Sequence, residues 1–146
     1  MDRGKPGAKI HALSDRAGLP LVVGISAANT NDQHALKPLV RAIPAVRSRR
    51  GPRRARPTKL HADKAYDVAE LHGWLPQRGI APRIARTGIE SNKKLGKHRW
   101  VIERSIAWLF GYRRLTIRYE RHAHLFCAFL TLAAVLTCYR KLAKAK

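Results

Sequence analysis

Acidic residues are what this sequence most lacks: nine Asp and Glu stand against thirty Lys and Arg, giving a net charge of +21 and an isoelectric point near 11.4. A folded chain so charged repels itself, and a polyanion is the partner that relieves the repulsion. Nucleic acid is the expected partner, with an anionic lipid surface as the bland alternative. Cysteine is nearly absent. Cys127 and Cys138 would lie about 16 Å apart on one helix at ~1.5 Å per residue, so they cannot pair with each other. No apolar stretch reaches the roughly twenty residues a membrane span needs; the longest, Leu125 to Tyr139, has fifteen. No apolar leader follows Met1, so no signal peptide is expected and the cytoplasm is the expected location. There is no internal repeat and no Gly-rich phosphate loop.

What is present suffices for one modest domain, since 45% of 146 residues are apolar. Lys9–Ser14 and the Val- and Ile-rich Pro20–Ala27, joined by a turn at Asp15-Arg16-Ala17-Gly18, predict an antiparallel hairpin. Asn29–Asp32 offers N-caps for a helix to about Val46 that Pro38 should kink or split. Residues 47–57 read RSRRGPRRARP, with six arginines in eleven residues, and are expected to form a basic loop. A strand at Thr58–Ala62 ends at Asp63; Asp67 is placed to cap a helix from Val68 to about Arg78, with Glu70 completing a capping box and Gly79 as its stop. A strand at Ile80–Ala85, a polar loop at Thr87–Gly96 and helices at Lys97–Tyr112 and 122–141 complete an α/β chain, a mixed sheet covered by helices.

With so few acids, each can be questioned in turn. Asp15 reads as a turn residue, Asp32, Asp67 and Glu70 as caps, Glu90 as part of a loop, and Glu120 as a surface pair among Arg118, Arg121 and His122. Asp63 stands at the carboxyl end of a strand, where open α/β sheets place ligands. Its bland alternative is a loop-opening Asp bonded to its own backbone. Glu103 has Trp100, Ile106, Ala107 and Phe110 as helical neighbours, and a lone carboxylate on so apolar a face is costly. An ion pair with Arg99 is one answer; a divalent cation such as Mg²⁺, held by carboxylates, water and phosphate oxygens, is another. Around Glu103 lie Lys93, Lys94, Lys97, Arg99, Arg104, Arg113, Arg114, Arg118 and Arg121, interleaved with Trp100, Trp108, Tyr112 and Tyr119. The mixture suits phosphate contact with occasional base stacking, or else a core flanked by a solvated face.

Five segments make the chain recognisable: DRGKPGAKIHALSD (2–15), ANTND (28–32), LHADKAYD (60–67), GKHRWVIERSIAWLFGYRRLTIRYER (96–121) and the apolar C-terminal helix. They resemble the DDE transposases of bacterial insertion sequences, within the insertion-sequence-five group. The resemblance implies an RNase H-like mixed sheet flanked by helices but lacking the first strand, so that residues 1–146 form a single partial catalytic domain. It matches Asp63 to the second and Glu103 to the third acidic residue of the triad, as catalytic and metal-binding groups. Asp2 and Asp15 do not match the first.

The implied chemistry is Mg²⁺-dependent, with Mn²⁺ able to substitute: hydrolysis at a transposon end, then strand transfer to target DNA. Lys93, Lys94, Lys97, Arg99, Arg104, Arg113, Arg114 and Arg118 would contact DNA phosphates without reading sequence. Further implications are a homodimer on paired ends, association with the bacterial nucleoid and no membrane. A decayed gene product and one half of an element whose upstream frame supplies the first Asp both remain open. With two matched carboxylates of three, the chain by itself is expected to be inactive. A non-catalytic basic DNA-binding protein is the second reading, and a small nuclease using Asp63, Glu103 and a recruited Asp the third.

Overall fold

The computed structural model describes residues 7–46, 51–86 and 92–144, with backbone only over 92–98. The chain is α/β, and it gathers into two compact units: residues 1–30 with 100–146, and residues 31–99. Among the described residues the strands form two separate pairs, one antiparallel and one parallel.

In the first unit β1 (Ala8–Ser14) pairs with β2 (Pro20–Ala27), Ile10 opposite Ile25 and Ala12 opposite Val23, as the expected hairpin. Asp15 organises the turn, as a turn Asp should: its Oδ1 accepts the N–H groups of Ala17 and Leu19, each at 2.8 Å. Gly18 takes φ +83°, and a Cβ there would meet Arg104 Nη2 and Ser105 Oγ at 3.2 Å, so both backbone and space demand glycine. The helices are the C-terminal part of α3 (Asn92–Phe110), α4 (Arg113–Thr116) and α5 (Ala123–Ala143). α5 lies along β2. Leu109, Leu115, Phe126, Leu130, Ala133 and Ala134 form the core, and Ile10, Val23 and Ile25 of the hairpin pack against it. α5 is longer than the fifteen-residue apolar run suggests; its 21 residues are long and apolar enough to cross a membrane by length and composition alone. One face of it packs on β2, with Leu130 wholly buried, while Leu125, Leu132, Val135, Leu136 and Leu142 on its other sides are exposed.

The second unit is a β-α-β turn with one helix before it. α1 (Gln33–Arg41) is not split at Pro38, which lies inside it, and it stops at Arg41 rather than near Val46. Pro44 explains the early stop, because a residue before proline avoids helical backbone. Asp32 stands at the cap position without a side-chain cap bond; Asn31 Oδ1 accepts the Gln33 N–H instead, at 3.3 Å. β3 (Lys59–Ala62) runs parallel to β4 (Ala81–Ile84), joined through α2 (Ala69–Gln77). α2 ends in a Schellman motif: Ile80 N–H reaches Leu75 O at 3.0 Å, Gly79 N–H reaches Pro76 O at 2.8 Å, and Gly79 takes φ +71°. Leu71, Leu75 and Ile80 are almost wholly buried. The described part of the basic loop is tied back where Arg54 and Val46 exchange two backbone hydrogen bonds of 2.9 Å. Residues 87–91 of the expected polar loop lie outside the described residues, and 92–96 are helical as the first turns of α3.

Candidate carboxylate and nucleic-acid sites

Asp63 follows the last residue of β3 directly and caps a short 3-10 turn, Lys64–Tyr66, its Oδ1 accepting the Ala65 N–H at 3.0 Å. The backbone-bonded alternative is thus realised by one oxygen of an exposed side chain, while Oδ2 takes no part in that turn. Beside it, the Tyr66 hydroxyl is pushed up to about 12, first by burial, then by the charges of Asp32 and Asp63. Asp67 and Glu70 do not form the expected caps: Asp67 Oδ1 lies 2.8 Å from His72 Nε2, and Glu70 is bonded to Lys37. The capping position of α2 is taken by Val68.

Glu103 belongs to the other unit. α3 buries Ser105 and Leu109, so the face that carries Glu103 turns outward, with Trp100 50% and Phe110 43% exposed. No costly buried carboxylate results: Trp100, Ala107 and Phe110 are exposed, Ile106 is half-buried, and Glu103 itself is exposed. Asp63 and Glu103 fit a divalent cation in kind, as exposed hard oxygen donors. No group of three or more His, Cys, Asp and Glu able to hold a metal gathers among the described residues. The pocket lined by Ile10, Phe110, Thr116, Arg118 and Phe126 contains no carboxylate and is not a cation site.

Of the arginines of the expected DNA surface, Arg99, Arg113, Arg114 and Arg118 are exposed and Arg104 is half-buried. Arg104, Arg114 and Arg118 are engaged within their unit. Arg104 lies against Trp100 and Trp108, at 4.3 and 5.0 Å from their ring centres, and donates from Nη2 to Ala17 O at 2.6 Å. Arg114 Nε donates to Glu120 Oε1 at 2.9 Å, and Arg118 Nε to the Glu120 carbonyl at 3.0 Å. The side chains of Lys93, Lys94 and Lys97 lie outside the described residues.

Glu120 is the acid that sequence reasoning misplaces. It is buried at 9% exposure, not on the surface, and its Oε2 has no partner among the described residues. Nothing in its arginine-rich surroundings signals burial; α4 packs against α5, with Arg114 over the Phe129 ring and Arg118 over that of Phe126.

The regions matched in known proteins span both Asp63 and Glu103. The family described as the transposase DDE domain matches residues 1–138. A Burkholderia cepacia protein named as the transposase for insertion sequence element IS402 is 44% identical over 144 residues, covering 99% of this chain and 68% of that protein. The transposase for insertion sequence element IS1106 of Neisseria meningitidis serogroup B is 29% identical over 130 residues, covering 82% of this chain and 40% of that protein. No solved structure matches. The chain belongs to the DDE transposase family. Within that family it is similar to these two transposases of insertion sequences.

Proposed function

We propose that the chain is part of an insertion-sequence transposase with an RNase H-like catalytic fold, acting on transposon ends and target DNA, and that Asp63 and Glu103 are two of its metal-binding carboxylates. The observation that carries the assignment is Asp63: a carboxylate at the end of a parallel strand, exposed, with one oxygen spent on its own turn and lying inside the family match. Mg²⁺ held there would polarise a phosphodiester and activate a water or 3′-hydroxyl for attack. The chain's own residues do the rest. Exposed Arg99 and Arg113 hold phosphates by charge, and the capping bond from Ala65 N–H fixes the Asp63 carboxylate in orientation.

The 146-residue chain, with two matched carboxylates, is expected not to nick supercoiled plasmid in Mg²⁺ or Mn²⁺ while still binding DNA in a salt-sensitive way. Nicking that Glu103→Ala abolishes would overturn the expected inactivity but uphold the carboxylate; nicking that both Asp63→Ala and Glu103→Ala leave intact would overturn the assignment. The second reading, a basic DNA-binding module without metal chemistry, is favoured by one observation: no group of three or more possible ligands gathers among the described residues.

A further inference from the structure

The cations of α1 and α2 have no part in the metal chemistry, yet within residues 31–99 three of them converge on one aromatic ring. The Arg78 guanidinium lies 4.7 Å from the centre of the Trp74 ring, Lys37 Nζ 5.6 Å and the Arg41 guanidinium 5.8 Å. Lys37 and Arg41 sit one turn apart on α1; Trp74 and Arg78 are likewise spaced on α2 and its cap. Arg56, from the arginine-rich loop, donates from Nη1 to the Arg78 carbonyl at 3.4 Å. One carboxylate answers these cations: Glu70, bonded to Lys37 and held below the usual carboxylate range by that bond. Among the described residues, no acid pairs with Arg41 or Arg78.

Gathering cations costs free energy through mutual repulsion. The electron-rich face of Trp74 offsets part of that cost, and a ligand with several negative charges offsets more. We propose that Lys37, Arg41 and Arg78, ordered around Trp74, together with Arg56 bonded to the Arg78 carbonyl, form a binding site for the phosphodiester backbone of nucleic acid, separate from the cations of residues 93–118. With cations placed over the ring, Trp74 is a scaffold rather than a platform for bases, so the site recognises phosphates and not sequence. The proposal rests on DNA as the partner of the chain.

The test uses the full chain carrying Trp100→Phe and Trp108→Phe, which leaves Trp74 as the one tryptophan of the three. Its emission is followed while a mixed-sequence DNA duplex is added at several salt concentrations. The emission is expected to change with the midpoint of binding. Arg41→Gln and Arg78→Gln are each expected to lower the slope of log affinity against log salt by about 0.9, which is roughly eightfold in affinity at 0.1 M salt for each phosphate interaction removed. Arg16→Gln, an exposed arginine of the β1–β2 turn, serves as the charge control with a smaller effect. Circular dichroism verifies that each variant is folded. Trp74→Phe should retain most of the affinity and Trp74→Leu should lose it. The proposal is overturned if Arg41→Gln and Arg78→Gln change the slope no more than Arg16→Gln does, or if Trp74 emission stays constant through saturation. A parent chain that binds no DNA at all would instead remove the underlying functional reading together with this site.

Discussion

The arginines of the two units are used in opposite ways. In the unit formed by residues 1–30 and 100–146, Arg104, Arg114 and Arg118 hold the fold together: two of them bond backbone carbonyls, and the third bonds a buried carboxylate. In residues 31–99, Arg41 and Arg78 bond no carboxylate among the described residues and crowd against a ring. A charge of +21 conceals this division. The arginines nearest Glu103 are not thereby the ones free to meet DNA; what separates them from Arg41 and Arg78 is a guanidinium N–H already bonded within the unit.

That contrast can be sharpened by measuring stability in urea. Leu130→Ala, which empties the centre of the first unit's core, should cost about 2–5 kcal/mol. Gly18→Ala should cost ~1–3 kcal/mol, since it strains a positive φ and presses on Arg104 and Ser105. Arg104→Ala should cost ~1–2 kcal/mol, because it removes the Ala17 bond and the cation stacked between two tryptophans. Arg78→Gln should by contrast stay within about 0.5 kcal/mol of the parent, or stabilise it by relieving repulsion. If Arg78→Gln destabilised the chain as much as Arg104→Ala, the two arginines would not differ as described.

The smallest expected effect concerns Glu70. Its folded-state pKa is lowered, first by the hydrogen bond from Lys37 and then by the charge of that lysine, so its contribution to stability is present above the ordinary carboxylate range and fades as pH falls through the lowered value. Glu70→Gln should therefore flatten slightly the acid limb of a stability-against-pH curve and leave neutral pH almost unchanged. An unaltered acid limb would mean that the Lys37 pairing does not persist in solution.

Local signals make much of the fold legible. The hairpin, its Asp15 turn, the Gly79 stop and both short parallel strands follow from turn chemistry and β-branched runs a few residues long. Legibility fails where a nearby residue or a distant segment decides. Pro44 shortens α1, and Lys37, 33 residues away, draws Glu70 from its expected cap role. Glu103 stands out for its apolar neighbours, but helical periodicity shows which residues share a face without showing whether that face is covered. The burial of Glu120 goes with the packing of α4 on α5 and with the Arg114 bond, which no local pattern encodes. The Trp74 cluster is half-legible: the spacings 37/41 and 74/78 stand in the sequence, but their meeting is tertiary.

Asp63 and Glu103 acting toward DNA through a divalent cation is the central claim. Its most direct measurement is the DNA affinity of the parent, Asp63→Ala and Glu103→Ala chains at one ionic strength, with EDTA and then with millimolar Mg²⁺. Without metal each carboxylate repels phosphate, so both variants should bind as tightly as the parent or more tightly. With Mg²⁺ the order should reverse, the parent binding more tightly than either variant. A ratio of parent to variant affinity that does not change when Mg²⁺ is added would contradict the metal role of these carboxylates and favour a DNA-binding module without metal chemistry.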